Sequence, residues 1–278
     1  ISYYYFGYLM NAGVTQLTGI ASSITYNLAL VSTAAMAATG IMSLVYNLIR
    51  STNGPTGQRP SFRTALAFGI VGVVLLLFIG NLVGFLEFLS ANDVGSKGFW
   101  RWISIDGVNA TSQSFWYPNS FWWWFRSTRV INTFVDGEGI DYTITEFPFF
   151  SFLLGDLHPH VLYLPFVLLA MGLSYNVLRA PVALGFEWLK SRPWEVLLVA
   201  LLLGSLGFLN SWDLPTFTAL FFAALMLRAF QAPLAVGHNR LLSLSVLMLS
   251  ITAAAILLYI PFYFMLDLAS WDISLLET

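Results

Sequence analysis

Residues 65–89 read ALAFGIVGVVLLLFIGNLVGFLEFL, a run of 25 residues in which Glu87 is the only charged side chain. A helix needs about 20 mostly apolar residues to cross the hydrocarbon core of a bilayer. Inside hydrocarbon the backbone has no water to bond, so only helices and closed barrels span it. Apolar residues follow one another here without the alternation that a barrel strand requires. The run therefore predicts a transmembrane helix.

The rest of the chain has the same character. Of its 278 residues 58% are hydrophobic and only 9% are charged, whereas a soluble domain carries about 25% charged residues. Six runs predict spans, at residues 22–49, 65–89, 162–178, 196–208, 216–226 with its flanks, and 241–264. A further apolar stretch at 3–19 contains Asn11 and Gln16 and predicts an interfacial or re-entrant helix. The sequence predicts an all-α polytopic transmembrane helix bundle, with residues 1–278 forming a single domain.

The charges predict which way the bundle faces. Eight of the twelve Lys and Arg residues fall in three short loops on one face, whereas twelve of the fourteen acids fall on the other. The basic loops contain Arg50, Arg59, Arg63, Arg179, Lys190, Arg192, Arg228 and Arg240. By the positive-inside rule these loops are cytoplasmic, and residues 90–161 form a large exterior loop. Its Trp and Phe clusters predict interfacial helices in an aromatic belt, or alternatively a stacking platform for a sugar or a groove for a lipid chain.

Several function classes are excluded or disfavoured. The chain has no cysteine, which rules out disulfides, thiol catalysis and cysteine metal sites. A net charge of −2 argues against nucleic acid as a partner. Walker, dinucleotide, serine-elbow and HExxH motifs do not occur, and few intramembrane charges disfavour a transporter. The chain begins at Ile1 without a signal-peptide pattern, so we expect it to be part of a longer or processed polypeptide.

The segment from Asp156 to His160 holds two of the three histidines of the chain. Pro159 disfavours helix at His158 and predicts an extended segment. In such a segment Asp156, His158 and His160 share one face. A carboxylate and two imidazoles suit a divalent metal, expected as Mg²⁺ or Mn²⁺, or a phosphate. The alternative is that these residues only cap and anchor the third span.

Three further side chains have two interpretations each. Asp213 follows Trp212 at the tip of the turn between the fourth and fifth predicted spans, where it is an N-cap or a catalytic carboxylate. Arg126 and Arg129 lie among acids in the exterior loop. They are suited to clamp a phosphate, and equally to form plain ion pairs with acids such as Glu146.

Three segments, at residues 1–8, 146–160 and 207–213, resemble the Chlor_Arch_YYY family of multi-spanning membrane proteins. The family takes its name from a triple tyrosine, which stands here as Tyr3, Tyr4 and Tyr5. It is similar in turn to the GT-C superfamily of glycosyltransferases, which pass a sugar from a polyprenyl-phosphate donor to an acceptor on the exterior face. The resemblance implies a GT-C-like fold, a lipid-linked sugar donor and location in a prokaryotic plasma membrane.

The resemblance also implies roles for particular residues. Transfer needs a carboxylate to deprotonate the acceptor, which Glu146, Asp156 or Asp213 would supply. The residues expected to bind substrate are Arg126, Arg129, His158, His160, Trp212 and Tyr4.

The chain departs from the GT-C pattern in one respect. The key acid of GT-C enzymes lies in the first exterior loop, and in this family that loop should lie upstream of the triple tyrosine. The alternative function is therefore a non-catalytic structural or accessory subunit, with other membrane subunits as partners.

Overall fold

A computed structural model describes residues 5–52, 57–103, 105, 116–117, 125, 127–128, 131–135, 138–181, 184–231 and 239–265. Across these ranges the regular structure is helical except for one antiparallel hairpin, β1 Ile131–Val135 and β2 Glu138–Thr143. The first helices are α1 Phe6–Thr18, α2 Ser22–Ser51, α3 Phe62–Val74 with a π-helical extension Leu75–Ile79, α4 Val83–Ala91 and α5 Lys97–Ile103. After the hairpin follow α6 Pro148–Leu154, α7 Pro159–Leu162, α8 Leu164–Leu178, α9 Phe186–Ser191, α10 Pro193–Leu209, α11 Asp213–Gln231, α12 Arg240–Leu258 and α13 Ile260–Met265.

Within the described residues, five helical segments are long and apolar enough to cross a bilayer. They are Ser22–Ser51, Phe62–Ile79, Pro159–Leu178, Asp213–Gln231 and Arg240–Leu258. These segments match five of the six predicted spans, and they support an integral membrane protein with a helical body. Residues 3–19 were predicted to hold an interfacial or re-entrant helix, and the described part of that stretch contains the helix α1.

The predicted span at 65–89 is wrong at its C-terminal end. The helix stops at Ile79, and Gly80 has a positive φ of 59°. Asn81 then accepts a 3.0 Å hydrogen bond at Oδ1 from the backbone N–H of Val83 at the start of α4. Glycine reaches this conformation without a Cβ clash, and asparagine side chains favour helix starts. Apolar residues continue on both sides of the turn, so composition alone did not reveal it.

The fourth predicted span corresponds to α10, which has 17 residues and falls short of the other five. Such a helix is about 26 Å long, compared with a hydrocarbon core of about 30 Å. Nevertheless α10 is central, because its buried side chains form one apolar cluster with those of α8, α11 and α12. A helix that is apolar on all sides suits an environment of other helices. Most of its side chains are covered by neighbouring helices, whereas Leu198 and Leu201 stay exposed on one side.

Hydrogen bonds draw several helix ends together on one side of the bundle. Tyr175 Oη donates to the carbonyl of Asn47 at 3.1 Å, and Arg228 Nη2 donates to that of Pro181 at 3.0 Å. The N–H of Phe186, at the start of α9, donates to a serine hydroxyl in the first turn of α12 at 2.7 Å. We call this side, which carries Arg50, Arg179, Arg192, Arg228 and Arg240, the basic end.

The opposite side, which we call the site end, contains the starts of α2, α7 and α11. Here the N–H of Leu157 donates a 2.9 Å hydrogen bond to Tyr26 Oη at the beginning of α2. The predicted exterior loop starts and finishes at this end. It holds the short helices α5 and α6, and also the β1–β2 hairpin, which was not expected. The N–H of Thr145 donates a 2.8 Å hydrogen bond to the carbonyl of Thr128. This bond holds the segment between β2 and residue 146 against the chain at Thr128.

Candidate functional site

Two proline junctions position the acidic and imidazole side chains at the site end. Phe147 is extended, with φ −139° and ψ 156°, and Pro148 starts α6. His158 is extended as predicted, with φ −71° and ψ 153°, and Pro159 starts α7. Proline disfavours helix in the residue before it and suits the first helical turn. Glu146 and His158 therefore lie in the chain just before short helices.

A left-handed turn after α6 folds these two junctions towards each other. Gly155 has φ 69°, and the N–H of Asp156 donates to the carbonyl of Ser151 at 2.8 Å. This is the hydrogen bond of a Schellman motif, which commonly ends a helix at glycine. The reversal returns the chain so that α7 contacts α6. Ser151 Oγ consequently lies 2.9 Å from His160 Nε2.

Glu146, His158 and His160 form a compact cluster. Glu146 Oε2 is 3.0 Å from His160 Nδ1 and 3.6 Å from His158 Nε2. One donor atom from each of the three residues lies within 4.8 Å of the others. The side chains of Glu146 and His160 are 18% and 19% exposed, and that of His158 is 36% exposed. A partly buried carboxylate and two imidazoles are thus aimed at one small volume, where they could hold a metal ion.

The outer nitrogen of each imidazole has its own partner. His158 Nδ1 is 3.0 Å from Asp156 Oδ2, and His160 Nε2 faces Ser151 Oγ. Asp156 was predicted as a metal ligand with the two histidines, and it lies beside them in a different arrangement from the expected one. The carboxylate contacts the His158 nitrogen that faces away from Glu146, so Glu146 takes the third position. The reason is that Pro159 begins a helical turn, and one extended face does not continue to His160.

The other predicted residues are not joined to this cluster by the contacts that the structure gives. Asp213 is the first residue of α11, where its Oδ2 accepts a 3.1 Å hydrogen bond from Asn210 Nδ2. Trp212 beside it is 79% exposed. Helices α8 and α11 pack together with their C-terminal ends joined at the basic end. Asp213 therefore lies at the site end on a neighbouring helix. Arg126, Arg129 and Tyr4 lie outside the described residues.

Sequence reasoning missed two residues that build the site. Ser151 is fully buried and contacts His160, and Tyr26 anchors the extended segment through the N–H of Leu157. The sequence signal for the turn after α6 is Gly155, four residues after Ser151, because glycine commonly ends a helix. No local pattern connects Tyr26 with a residue 131 positions away.

A groove of about 740 Å³ runs between α2 and α8. Its lining includes Gly40, Ser43, Asn47, Pro165, Gly172 and Tyr175. From Pro165 to Tyr175 the groove follows α8 for roughly 15 Å at 1.5 Å per residue. Its Pro165 end is five residues from His160 in the chain. A long, mostly apolar cavity therefore follows two candidate membrane-spanning helices, from Pro165 to the Tyr175 and Asn47 contact at the basic end.

The whole chain matches a known family. The model of the family described as "Uncharacterized membrane protein (DUF2298)" matches residues 1–278, so the chain belongs to this family of membrane proteins. No match was found among curated proteins or among solved structures.

Proposed function

We propose that this DUF2298 protein is a GT-C-like membrane glycosyltransferase core, similar to the Chlor_Arch_YYY proteins. It transfers a sugar from a polyprenyl-phosphate donor on the exterior face of a prokaryotic plasma membrane. One observation carries the proposal: a largely apolar groove lies between two candidate membrane-spanning helices, and its Pro165 end is five residues along the chain from His160 of the Glu146, His158 and His160 cluster. A molecule with a long apolar tail and an anionic head matches this combination of cavity and cluster.

The donor has two chemically different parts, and the proposal assigns each a place. Its polyprenyl chain lies in the groove, where the walls of α2 and α8 replace lipid. Its phosphate lies at the site end beside the Glu146, His158 and His160 cluster. Arg126 and Arg129 belong to the same proposal as phosphate-binding residues. A guanidinium group can donate two parallel hydrogen bonds to the oxygens of one phosphate. A divalent cation at this position would add positive charge beside the phosphate.

Asp213 is the carboxylate that we assign as the general base. Glu146 and Asp156 are both engaged with imidazoles, whereas the side chain of Asp213 accepts a hydrogen bond from Asn210. The acceptor hydroxyl gives its proton to Asp213, and its oxygen forms a bond to the anomeric carbon of the sugar. The bond from that carbon to the phosphate oxygen breaks, and polyprenyl phosphate leaves with the electron pair. Exposed Trp212 next to the base offers an aromatic face to the sugar ring.

The proposal includes an orientation. The basic end faces the cytoplasm by the positive-inside rule, and the site end faces the exterior. A lipid-linked donor is then reached from within the bilayer, with its head group at the level of the cluster. Membrane lipids and the lipid-linked donor are the expected partners.

A groove-filling variant tests the function with a matched control. A Cβ at Gly172 meets no atom within 4 Å, so Gly172→Leu should fill the groove without disturbing the helices. Gly13 has equally open surroundings but lies on α1, away from the groove lining. In nanodiscs, binding and turnover of radiolabelled polyprenyl-phosphate sugars should fall at least about tenfold in Gly172→Leu and stay unchanged in Gly13→Leu.

Two results would count against the proposal. If Gly172→Leu binds the donors as the wild type does, the groove is not the site of the polyprenyl chain. If the wild type binds polyprenyl-phosphate sugars no better than polyprenyl alcohols and consumes none, the non-catalytic accessory role is the better explanation.

A further inference from the structure

We propose that Glu146, His158 and His160 form a three-ligand site for Zn²⁺, with Asp156 and Ser151 as the groups that orient its two imidazoles. The proposal concerns metal binding by the chain itself and does not depend on sugar transfer. It rests on two ring nitrogens that face the Glu146 carboxylate, while the other two contact Asp156 and Ser151.

The donor separations suit a small four-coordinate ion. With metal–ligand bonds of about 2.0–2.1 Å, tetrahedral geometry places neighbouring ligand atoms about 3.4 Å apart. Glu146 Oε2 lies 3.0 Å from His160 Nδ1 and 3.6 Å from His158 Nε2, on either side of that value. All three donor atoms fall within 4.8 Å of one another. Small side-chain rotations would bring them to a common centre.

The outer partners define which nitrogen of each imidazole faces inward. Asp156 Oδ2 accepts from Nδ1 of His158, which leaves the Nε2 lone pair directed towards Glu146. Ser151 Oγ is paired with Nε2 of His160, which leaves Nδ1 directed towards the same carboxylate. Metal-binding histidines almost always donate their other N–H to an oxygen in this way. When the outer nitrogens carry the protons, two lone pairs and the Glu146 carboxylate face one another, which is an arrangement that suits a cation.

The donor set also indicates which cation binds. Imidazole nitrogen suits Zn²⁺ and its neighbours among the transition metals, whereas Mg²⁺ prefers oxygen ligands and near-ideal octahedral geometry. Two imidazoles with one carboxylate therefore favour Zn²⁺ over the Mg²⁺ or Mn²⁺ expected from sequence. Three protein ligands leave the fourth position of a tetrahedral zinc open to water or to an anionic oxygen.

Zinc binding by the full chain in nanodiscs, purified without a polyhistidine tag, tests the site. Titration of Zn²⁺ against a competing chromophoric chelator should give one tight site per chain, and excess Mg²⁺ should not displace the ion. X-ray absorption at the zinc edge should show nitrogen and oxygen ligands at about 2.0–2.1 Å. His158→Ala, His160→Ala and the near-isosteric Glu146→Gln should each weaken binding by more than about 100-fold, beyond the usual effect of losing an outer partner.

A third histidine provides the matched control. His238 directly precedes Asn239, the N-cap of α12 at the basic end, so His238→Ala should retain one zinc with unchanged affinity. Glu146→Gln keeps the shape of the side chain, so a loss of zinc in this variant reports loss of a ligand rather than misfolding. The proposal is overturned if the folded wild type binds no stoichiometric zinc, if the three ligand variants bind zinc as tightly as the wild type, or if Mg²⁺ competes on equal terms.

Discussion

The two ends of the bundle use their charges in different ways. At the basic end, Arg50 Nη1 donates to the carbonyl of Pro60 and Arg228 donates to that of Pro181, so each guanidinium holds a turn. The ion pair of Arg192 and Glu195 is exposed and joins residues three apart in sequence. At the site end, by contrast, the acids and imidazoles contact one another and are partly buried.

The charged groups at the basic end hold the ends of helices in place, whereas those at the site end are arranged to bind a ligand. An exposed ion pair such as that of Arg192 and Glu195 contributes little to stability and tolerates change. Partly buried carboxylate and imidazole groups that converge lose hydration, and a ligand is what compensates for that loss. The site end also contains the glycine turns and proline junctions that fix the position of each group. We therefore expect substitutions at the site end to affect function and matched substitutions at the basic end to have little effect.

The largest effect is expected for the proposed base. Asp213→Asn preserves the shape of the side chain and removes its basicity, so sugar transfer should fall by about 10²–10⁴-fold. Glu195→Gln is the matched control, because Glu195 also lies in a first helical turn but at the basic end. Turnover of a radiolabelled donor measures both variants. Equal activity in Asp213→Asn and the wild type would remove Asp213 from the mechanism, and zinc affinity should be the same in all three proteins.

A smaller effect is expected when an orienting group is lost. Asp156→Asn weakens the contact to His158 Nδ1 and should lower zinc affinity by roughly 10–100-fold. Ser151→Ala removes the hydroxyl facing His160 and should act in the same direction. Chelator competition gives both affinities. Wild-type affinity in Asp156→Asn would show that the Asp156–His158 contact does not orient a metal ligand.

The backbone turn at Gly80 allows the stability of the site end to be tested. A Cβ there would lie 2.8 Å from Phe147 Cδ2, and the residue has positive φ. Gly80→Ala should lower the free energy of unfolding by about 1–3 kcal/mol. It should also weaken zinc binding, because Phe147 adjoins Glu146. Thermal unfolding in detergent measures the loss, with Gly172→Ala as a control at an open glycine. A stable Gly80→Ala protein would show that the turn is more adaptable than its contacts indicate.

The smallest effect is expected at the basic end. Arg192→Ala breaks the exposed ion pair with Glu195, and pairs of this kind contribute little because water screens them. The melting temperature and zinc affinity should be indistinguishable from those of the wild type. A large loss of either would contradict the division between the two ends.

The sequence pointed to most of the residues of the candidate site, but it did not show which of them contact one another. His158 is extended because proline follows it, and this local effect was predictable. Glu146 was assigned a possible catalytic role but was not placed with the histidines, because ten residues and a helix separate it from Asp156. The contact depends on the reversal at Gly155 and on the packing of α7 against α6. Asp156 was expected to share one extended face with both histidines, whereas Pro159 begins a helical turn and Asp156 contacts only the outer nitrogen of His158.

The span boundaries show the same division. Continuous apolar runs determined the helical membrane body, because backbone hydrogen bonds in hydrocarbon must be made within the segment. These runs also located α10, although they did not indicate its central position. The turn at Gly80 depends on a close approach to Phe147, which lies 67 residues later in the chain.

By itself the sequence determined a helical membrane protein, the clustering of basic residues in three loops and a histidine pair beside a proline. Each of these follows from composition or from interactions between residues close in the chain. Only the tertiary structure decided that Glu146 joins His158 and His160, that Asp156 and Ser151 contact the outer nitrogens, and that a groove lies between α2 and α8. Those features depend on distances between separate helices, which are set by packing rather than by local sequence.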